Sequence, residues 1–210
     1  MGQKKRILGV LAGKSLPFQS LADLAKGADI VFAADSGQEV CLAAGFQPNV
    51  VVGDLDSVKE RLAEVEYRER SDQNFSDCDK LIDEVRELGE VDFIVGGFEG
   101  DRFDHILASL MSFARGRVPV RLLLGQGHGK VLWAGEEWGL GAGTFSILPL
   151  GEAVVSTKGA QWELHHSPLS FTGGGSLSNQ AQGDVLVKVE QGCVLVIRDR
   201  VELDWEEISG

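Results

Sequence analysis

Two aspartates, Asp54 and Asp56, stand one residue apart in the segment Gly53-Asp54-Leu55-Asp56-Ser57. Carboxylates two positions apart on an irregular segment can converge on one hard cation, and Mg²⁺ typically uses one or two carboxylates together with phosphate oxygens. The same residues are also typical of a solvated turn in which Ser57 caps a following helix. The pair therefore predicts either a metal site or a turn, and the surrounding residues must decide between them.

A second group of polar residues begins at Ser76, which has the spacing of a capping box with Asp79. The helix that this box opens places Asp77 above Leu81 on the stripe that faces the core, where an unpaired acid is costly. Lys80 follows three residues after Asp77 and reaches the same site. Capping explains Ser76 and Asp79, whereas a metal ligand beside a phosphate-binding lysine would also explain Asp77 and Lys80.

A glycine-rich segment, residues 96–100, leads into a predicted helix that carries Arg102, Asp104 and His105. Glycines allow backbone N–H groups to approach a phosphate, and a helix N-terminus adds partial positive charge. Arg102 could neutralise charge on a transferred group, and Asp104 could hold Arg102 or His105 in place. The glycines do not fit the dinucleotide-binding spacing, and His105 alone is equally compatible with a structural role.

The elements that position these residues follow an alternating pattern in the first 125 or so residues. Buried strands are predicted at 7–12, 30–34, 50–52, 93–95 and 120–124, because these runs are rich in Val, Ile and Leu. Amphipathic helices are predicted at 20–26, 38–44, 58–68, 77–88 and 102–115. In the last helix Phe103, Ile106, Leu107, Leu110 and Ala114 form one apolar stripe, expected to face the core.

After residue 125 the pattern changes to short strands separated by glycines. Strands are predicted at 130–133, 144–148, 153–157, 185–189 and 194–198, with no long helical period between them. We therefore predict an α/β fold, in which an N-terminal doubly wound, mostly parallel sheet (residues 1–126) precedes a C-terminal antiparallel β-sandwich (127–210). Ligands of such a parallel sheet bind beyond the carboxyl ends of its strands, where Asp35, Asp54 and the 96–100 glycines fall.

Composition limits the partners. Acidic residues outnumber basic residues by 32 to 20, giving a formal net charge of −12, and this argues against nucleic acid. The apolar run at 7–12 is too short to span a bilayer, so no membrane association is expected. Cys41, Cys78 and Cys193 match no zinc spacing, and so few cysteines are typical of a reducing compartment, hence the cytoplasm.

Six motifs in one order resemble those of the thiamine pyrophosphokinase family between about residues 34 and 179. Residues 34–37 resemble A-D-G-G, 53–57 match G-D-x-D-S, 73–80 resemble Q-x-x-T-D-x-x-K, 97–105 resemble G-x-x-G-x-R-x-D-H, 158–164 resemble G-L-x-W/Y-x-L, and 178–179 resemble S-N. Each motif is common alone, whereas all six in order are specific.

The resemblance implies an enzyme that transfers pyrophosphate from ATP to the hydroxyl of thiamine, releasing AMP, and a homodimer whose active sites lie between subunits. It implies that Asp54, Asp56 and Asp77 hold Mg²⁺. It also implies contacts to the ATP phosphates and the acceptor from Gln73, Ser76, Lys80, Arg102, Asp104 and His105. Thiamine contacts are implied for Ser178 and Asn179 of the partner subunit, a hydroxyl contact for Asp35, and ring stacking for Trp162.

Three alternatives stay open at this stage. The same metal and phosphate site could serve another alcohol, such as a hydroxymethylpterin. A non-catalytic nucleotide or thiamine sensor would bind ligand without turnover. A glycosyltransferase of the D-x-D type is a further possibility, although the R-x-D-H segment gives it no support.

Overall fold

The computed structural model describes residues 4–100, 102–199 and 201–206, and the chain forms two compact units. Of the described residues, those up to 125 and those at 203–206 belong to the first unit, and those between 126 and 202 belong to the second. Leu203 and Trp205 return to the first unit because their side chains are buried in its core, where the Trp205 indole Nε1 donates to the Leu24 carbonyl at 2.9 Å. The predicted boundary gave residues 203–210 to the second domain instead.

The first unit is built on six parallel strands. They are β1 (Lys5–Val10), β2 (Ile30–Ala34), β3 (Val50–Gly53), β4 (Glu66–Glu69), β5 (Val91–Gly96) and β6 (Arg121–Leu124). The sheet order is β6-β5-β1-β2-β3-β4, so the strand order reverses direction between β1 and β5. A reversal of this kind leaves a crevice beyond the carboxyl ends of the strands.

Four helices accompany this sheet among the described residues: α1 (Phe18–Gly27), α2 (Gly37–Ala43), α3 (Asp77–Glu87) and α4 (Phe103–Gly116). The capping box predicted for α3 is present, because the Ser76 hydroxyl accepts from the Asp79 backbone N–H and the Asp79 side chain accepts from the Ser76 N–H. Leu81 and Val85 are fully buried, as the predicted stripe requires.

The helix predicted at residues 58–68 is wrong. Residues 58–65 are not helical, and the chain then forms β4 alongside β3. Tertiary contacts outweigh the helical pattern here: Arg68 of β4 and Arg70 just after it both bind the buried carboxylate of Glu84 on α3. The Tyr67 hydroxyl also accepts from the Leu62 N–H at 2.7 Å and so fixes the preceding loop.

The predicted inward stripe of α4 is wrong at its first residue, whereas Ile106, Leu107, Leu110 and Ala114 are half-buried. Phe103, the first residue of that stripe, is 74% exposed, and the buried residues are Ser109, Ser112 and Phe113. The face of α4 that carries Ser112 and Arg115 makes polar contacts next to and on α3. The Ser112 hydroxyl lies 3.1 Å from the Ser76 hydroxyl, and Arg115 binds Asp79 at 2.8 Å. The helix thus buries Ser109, Ser112 and Phe113 and leaves the side chains of Phe103 and Met111 exposed.

The second unit contains seven antiparallel strands in its described part. They are β7 (Gly127–Trp133), β8 (Glu137–Leu140), β9 (Gly143–Pro149), β10 (Glu152–Ala160), β11 (Ser167–Ser170), β12 (Ser176–Gln191) and β13 (Cys193–Arg198). They pair in the order β11-β10-β12-β9-β13-β7, and β8 pairs with the later half of β12. Alternate side chains, such as Val185, Val187 and Val189, are buried in one core.

The predicted fold class is therefore confirmed, although sequence patterning missed the short strands β4, β8 and β11. Within the described residues, no helix combines the length and the apolar character needed to cross a bilayer.

Candidate active site

A cavity of about 260 Å³ opens in the first unit beyond the carboxyl ends of β1, β2 and β3. The start of α3 and the first turns of α4 form its other walls. Its lining residues are Leu11, Ala12, Ala34, Asp35, Ser36, Ser57, Ser76, Asp77, Cys78, His105, Ala108 and Ser109. The cavity therefore lies at the position where an open parallel sheet binds its ligands.

Three carboxylates meet at this edge. One oxygen from each of Asp35, Asp54 and Asp56 lies within 4.8 Å of the other two. Two backbone turns bring them together, since Asp35 and Leu55 both have left-handed backbone angles, with φ of 45° and 63°. Such angles cost of order 1–3 kcal/mol at a non-glycine residue and are concentrated at functional sites.

Asp35 is the most buried of the three, with 4% of its surface exposed. Its backbone N–H donates to the Val52 carbonyl at 2.8 Å, which ties the end of β2 to β3. Burial raises the pKa of the Asp35 carboxyl, a hydrogen bond with Ser57 opposes the rise, and the negative charges of Asp77 and Asp54 add to it. Its Oδ1 is buried and has no hydrogen-bond partner among the described residues.

Asp54 and Asp56 lie nearer to solvent. The Gln73 side-chain amide donates to Asp54 Oδ2 at 2.9 Å, and this hydrogen bond lowers the pKa of Asp54. The Ser57 hydroxyl donates to Asp56 Oδ1 at 3.0 Å. Asp54 therefore favours its ionised form, which is the form that binds a cation.

Asp77 faces the same cavity but lies outside the group of three carboxylates. Its Oδ1 accepts from Lys80 Nζ at 3.1 Å, and Lys80 is almost fully buried. Lys80 also lines a neighbouring cavity of about 440 Å³, together with Arg70 and Phe75. The predicted pair of an acid and a lysine is thus present, with Asp77 on the first cavity and Lys80 on the second.

The cavity contains only part of the predicted 102–105 group. His105 lines it, whereas Arg102 and Asp104 are exposed and form a bidentate pair with each other, at 2.7 and 3.2 Å. The hydrogen bond from Arg102 lowers the pKa of Asp104. Exposed pairs of this kind are weak because water screens them, so an anionic ligand can replace Asp104 at small cost.

The predicted thiamine contacts lie in the second unit. Trp162 is 57% exposed on the loop after β10. The Asn179 side chain is buried and bonds both backbone polar groups of Trp162, donating to its carbonyl at 2.7 Å and accepting from its N–H at 3.2 Å. Ser178 has a left-handed φ of 53°, and its N–H donates to the Ser146 hydroxyl. Asn179 thus holds the loop that presents the Trp162 ring.

Sequence reasoning missed two polar residues of the cavity wall. Ser57 was interpreted only as a helix cap, whereas no helix follows it and its hydroxyl binds Asp56. Ser109 lies outside the apolar stripe that the sequence indicates for α4, yet its side chain is buried and lines the cavity. Its only sequence signal is that a small residue recurs at 108, 109 and 112.

The residues at the cavity fit a magnesium ion. Mg²⁺ takes oxygen ligands at 2.0–2.1 Å, so neighbouring ligand oxygens lie about 3–4 Å apart. The carboxylate oxygens of Asp35, Asp54 and Asp56 are within 4.8 Å of one another, and small side-chain rotations would bring them into one shell. The buried, unpartnered Oδ1 of Asp35 is a free acceptor at this point among the described residues.

Comparison with known proteins agrees with this architecture. The family model for the catalytic domain of thiamin pyrophosphokinase matches residues 21–120, and the model for its vitamin B1 binding domain matches residues 139–194. A solved thiamine pyrophosphokinase from Bacillus subtilis is 21% identical with a TM-score of 0.74, over 92% of this chain and 99% of that one. The enzyme from Candida albicans is 16% identical with a TM-score of 0.76, over 92% and 89%.

The fold and the two matched domains define a class, that of two-domain transferases of the kinase type. Within that class the chain belongs to the thiamin pyrophosphokinase family, since the two models together match well over half of its residues. The resemblance inferred from the six motifs is confirmed. Membership places the protein in thiamine diphosphate biosynthesis.

Proposed function

We propose that the protein is a magnesium-dependent pyrophosphokinase that converts ATP and thiamine into AMP and thiamine diphosphate. The observation that carries this proposal is the group of carboxylates at the cavity beyond β1–β3, inside the segment that matches the catalytic domain. Lys80, Ser76 and His105 adjoin it and supply donors for phosphate oxygens.

Asp54 and Asp56 would hold the cation, with Asp77 facing it across the cavity. When bound, Mg²⁺ neutralises the triphosphate and orients it for attack. Lys80, already beside Asp77, would bind a phosphate oxygen. Arg102 would release Asp104 and bind a second phosphate oxygen in its place. Gln73 would keep Asp54 oriented through its present hydrogen bond.

The reaction needs no covalent intermediate. The thiamine hydroxyl oxygen forms a bond to the β-phosphorus in line with the bond to the α-phosphate oxygen, which breaks. AMP leaves with that oxygen, and the hydroxyl proton passes to a carboxylate or to solvent. The residues of the chain act by position and charge, which supply most of the rate in phosphoryl transfer.

Trp162 would stack on an aromatic ring of thiamine. We expect Trp162→Ala to raise the KM for thiamine about tenfold or more while kcat and the KM for ATP change little, because stacking contributes on the order of 1–2 kcal/mol. Trp162→Phe, which keeps a ring, is the matched control and should restore most of the loss. Equal changes in both KM values would contradict the stacking role.

A homodimer is proposed from the apolar side chains that each unit leaves exposed. Phe103 and Met111 on α4 are 74% and 58% exposed, and Phe171 and Leu177 in the second unit are similarly open. With Trp162 these side chains offer on the order of 600 Å² per chain, near the roughly 800 Å² per partner of a stable complex. A partner subunit seated on α4 could supply the thiamine contacts to the cavity.

Met111→Glu is expected to shift the protein from dimer to monomer at micromolar concentration, because it buries a charge in that contact. Light scattering coupled to size-exclusion chromatography measures the mass. Leu42→Glu, on the exposed face of α2, is the matched control and should remain dimeric. A dimer that survives Met111→Glu unchanged would place the interface elsewhere.

The function is tested by incubating the purified protein with ATP, Mg²⁺ and thiamine and separating the products by chromatography. AMP and thiamine diphosphate in equal amounts are expected. Transfer to a hydroxymethylpterin but not to thiamine would contradict the acceptor and leave the nucleotide chemistry standing. Ligand-induced thermal stabilisation without any product would contradict catalysis and favour a sensor.

A further inference from the structure

Asp35 has a buried carboxylate. The metal site proposed above consists of Asp54, Asp56 and Asp77 and assigns no role to it. A buried carboxylate oxygen without a hydrogen bond is rare in folded proteins and calls for a bound partner. Oδ1 of Asp35 is such an atom among the described residues, and Asp35 lines the cavity together with Asp77.

The local chain is built to hold this side chain in place. The Asp35 N–H is fixed to Val52, and its carbonyl accepts from the Gln38 N–H at 3.2 Å, which pins both sides of the left-handed turn. Gly53 leaves the space that the carboxylate needs, since a Cβ at Gly53 would lie 2.9 Å from the Cβ of Asp35. Neither feature is required by a solvated turn.

Asp35, rather than Asp77, lies close enough to Asp54 and Asp56 for one cation to bind all three carboxylates. Its oxygen falls within 4.8 Å of theirs, and Asp77 instead pairs with Lys80. Three carboxylates at this separation repel one another unless a cation lies between them.

We infer that Asp35 is a ligand of the divalent cation, which it holds together with Asp54 and Asp56 at the carboxyl edge of the parallel sheet. This inference rests on the proposed function, because it names a further residue of the same metal site. Three protein carboxylates outnumber the one or two that usually hold Mg²⁺ in nucleotide sites. The cation therefore binds to the protein before the nucleotide does, rather than arriving only as its complex with ATP.

Mn²⁺ binding, followed by electron paramagnetic resonance without nucleotide, tests the inference. The wild-type protein is expected to bind one Mn²⁺, and Asp35→Asn to weaken that binding at least about tenfold. Asp54→Asn should weaken it similarly, and Asp184→Asn, an exposed acid of β12, should not. Thermal unfolding without metal checks the fold: Asp35→Asn should melt at or above the wild-type temperature, since it removes one of three neighbouring carboxylates that repel one another.

The outcomes separate the inference from the function. Equal Mn²⁺ affinity of Asp35→Asn and the wild type, with Asp54→Asn weakened, would overturn the role of Asp35 and leave the enzyme proposal intact. No Mn²⁺ binding by the wild type, with or without ATP, would overturn both. Should Asp35→Asn fail to fold, Gly53→Ala displaces the carboxylate without removing it, and an unchanged Mn²⁺ affinity of that variant would overturn the inference.

Discussion

Asp54→Asn is expected to lower kcat for thiamine diphosphate formation by about 1,000-fold or more, equivalent to roughly 4 kcal/mol of transition-state stabilisation. The physical reason is that a neutral amide cannot balance the charge of the cation that neutralises the triphosphate. Asp54 accepts a hydrogen bond from Gln73, and the amide oxygen of an asparagine can still accept it. We therefore expect the melting temperature to stay within about 3 °C of the wild-type value.

Steady-state kinetics and thermal unfolding of the same preparation measure both effects. Asp184→Asn makes the same chemical change at an exposed site in the second unit and should alter neither kcat nor stability. Loss of folding in Asp54→Asn would show that this acid is structural. Full activity with a normal melting temperature would remove Asp54 from the metal site.

Glu84→Gln is expected to be the most destabilising of these changes, lowering the free energy of unfolding by about 2–3 kcal/mol and the melting temperature by roughly 5–10 °C. Glu84 is 1% exposed and binds Arg68 and Arg70 at once, which ties α3 to β4. The side-chain amide of glutamine can accept a hydrogen bond from one arginine through its oxygen. Its NH₂ group then faces the other arginine, which has no acceptor for it. Both arginines are part-exposed, so water limits the loss.

The pH dependence gives this prediction a second measurement. Burial alone would raise the pKa of Glu84, but the hydrogen bonds from Arg70 and Arg68 outweigh it, and the pKa lies below the ordinary value of 4.5. A lowered pKa in the folded state means that the ionised group stabilises the fold above pH 4.5 and loses this effect as the pH falls further. The stability difference between wild type and Glu84→Gln should therefore shrink below pH 4.5.

Denaturant unfolding at pH 7 and at pH 3.5 measures that difference. Glu87→Gln, three residues further along α3 and 70% exposed, is the matched control and should cost less than about 0.5 kcal/mol at either pH. A gap between wild type and Glu84→Gln that stays constant or widens on acidification would contradict the ion-pair account.

Sequence patterning predicted the strands that are buried on both faces and the helix that begins at a local capping box. Strand β2 was placed at its observed bounds because its apolar run is continuous, and α3 began at its capping box. In contrast, residues 58–68 carried a helical period that pairing with β3 overrides. Strand formation there depends on Glu84, which lies far along the chain and cannot be read from a local window.

The face of α4 could not be predicted for a similar reason. Its apolar stripe has helical spacing, but spacing does not tell whether the stripe meets the core of the same chain or another surface. The contacts of Ser112 with Ser76, of Arg115 with Asp79 and of Phe113 with Phe98 hold the observed orientation, and no sequence pattern reports those pairings.

The sequence predicts which strand ends carry the residues of the candidate site, but it does not predict the distances between those residues. Asp54 and Asp56 lie together at the sheet edge, as the spacing indicates, and Asp77 and Lys80 adjoin them. The closer neighbour is Asp35, because the left-handed turn after β2 directs its side chain across Gly53. Distances between separate strand ends depend on sheet order, which the sequence does not state directly.

The central claim is that separate carboxylates share one divalent cation at the carboxyl edge of the parallel sheet. Crystals grown with Mn²⁺ and a non-hydrolysable ATP analogue test it through the anomalous scattering of manganese. One strong peak is expected within about 2.3 Å of oxygens from Asp54 and Asp56, with phosphate oxygens completing the shell. A structure in which the analogue is bound and the manganese lies away from both aspartates would contradict the account.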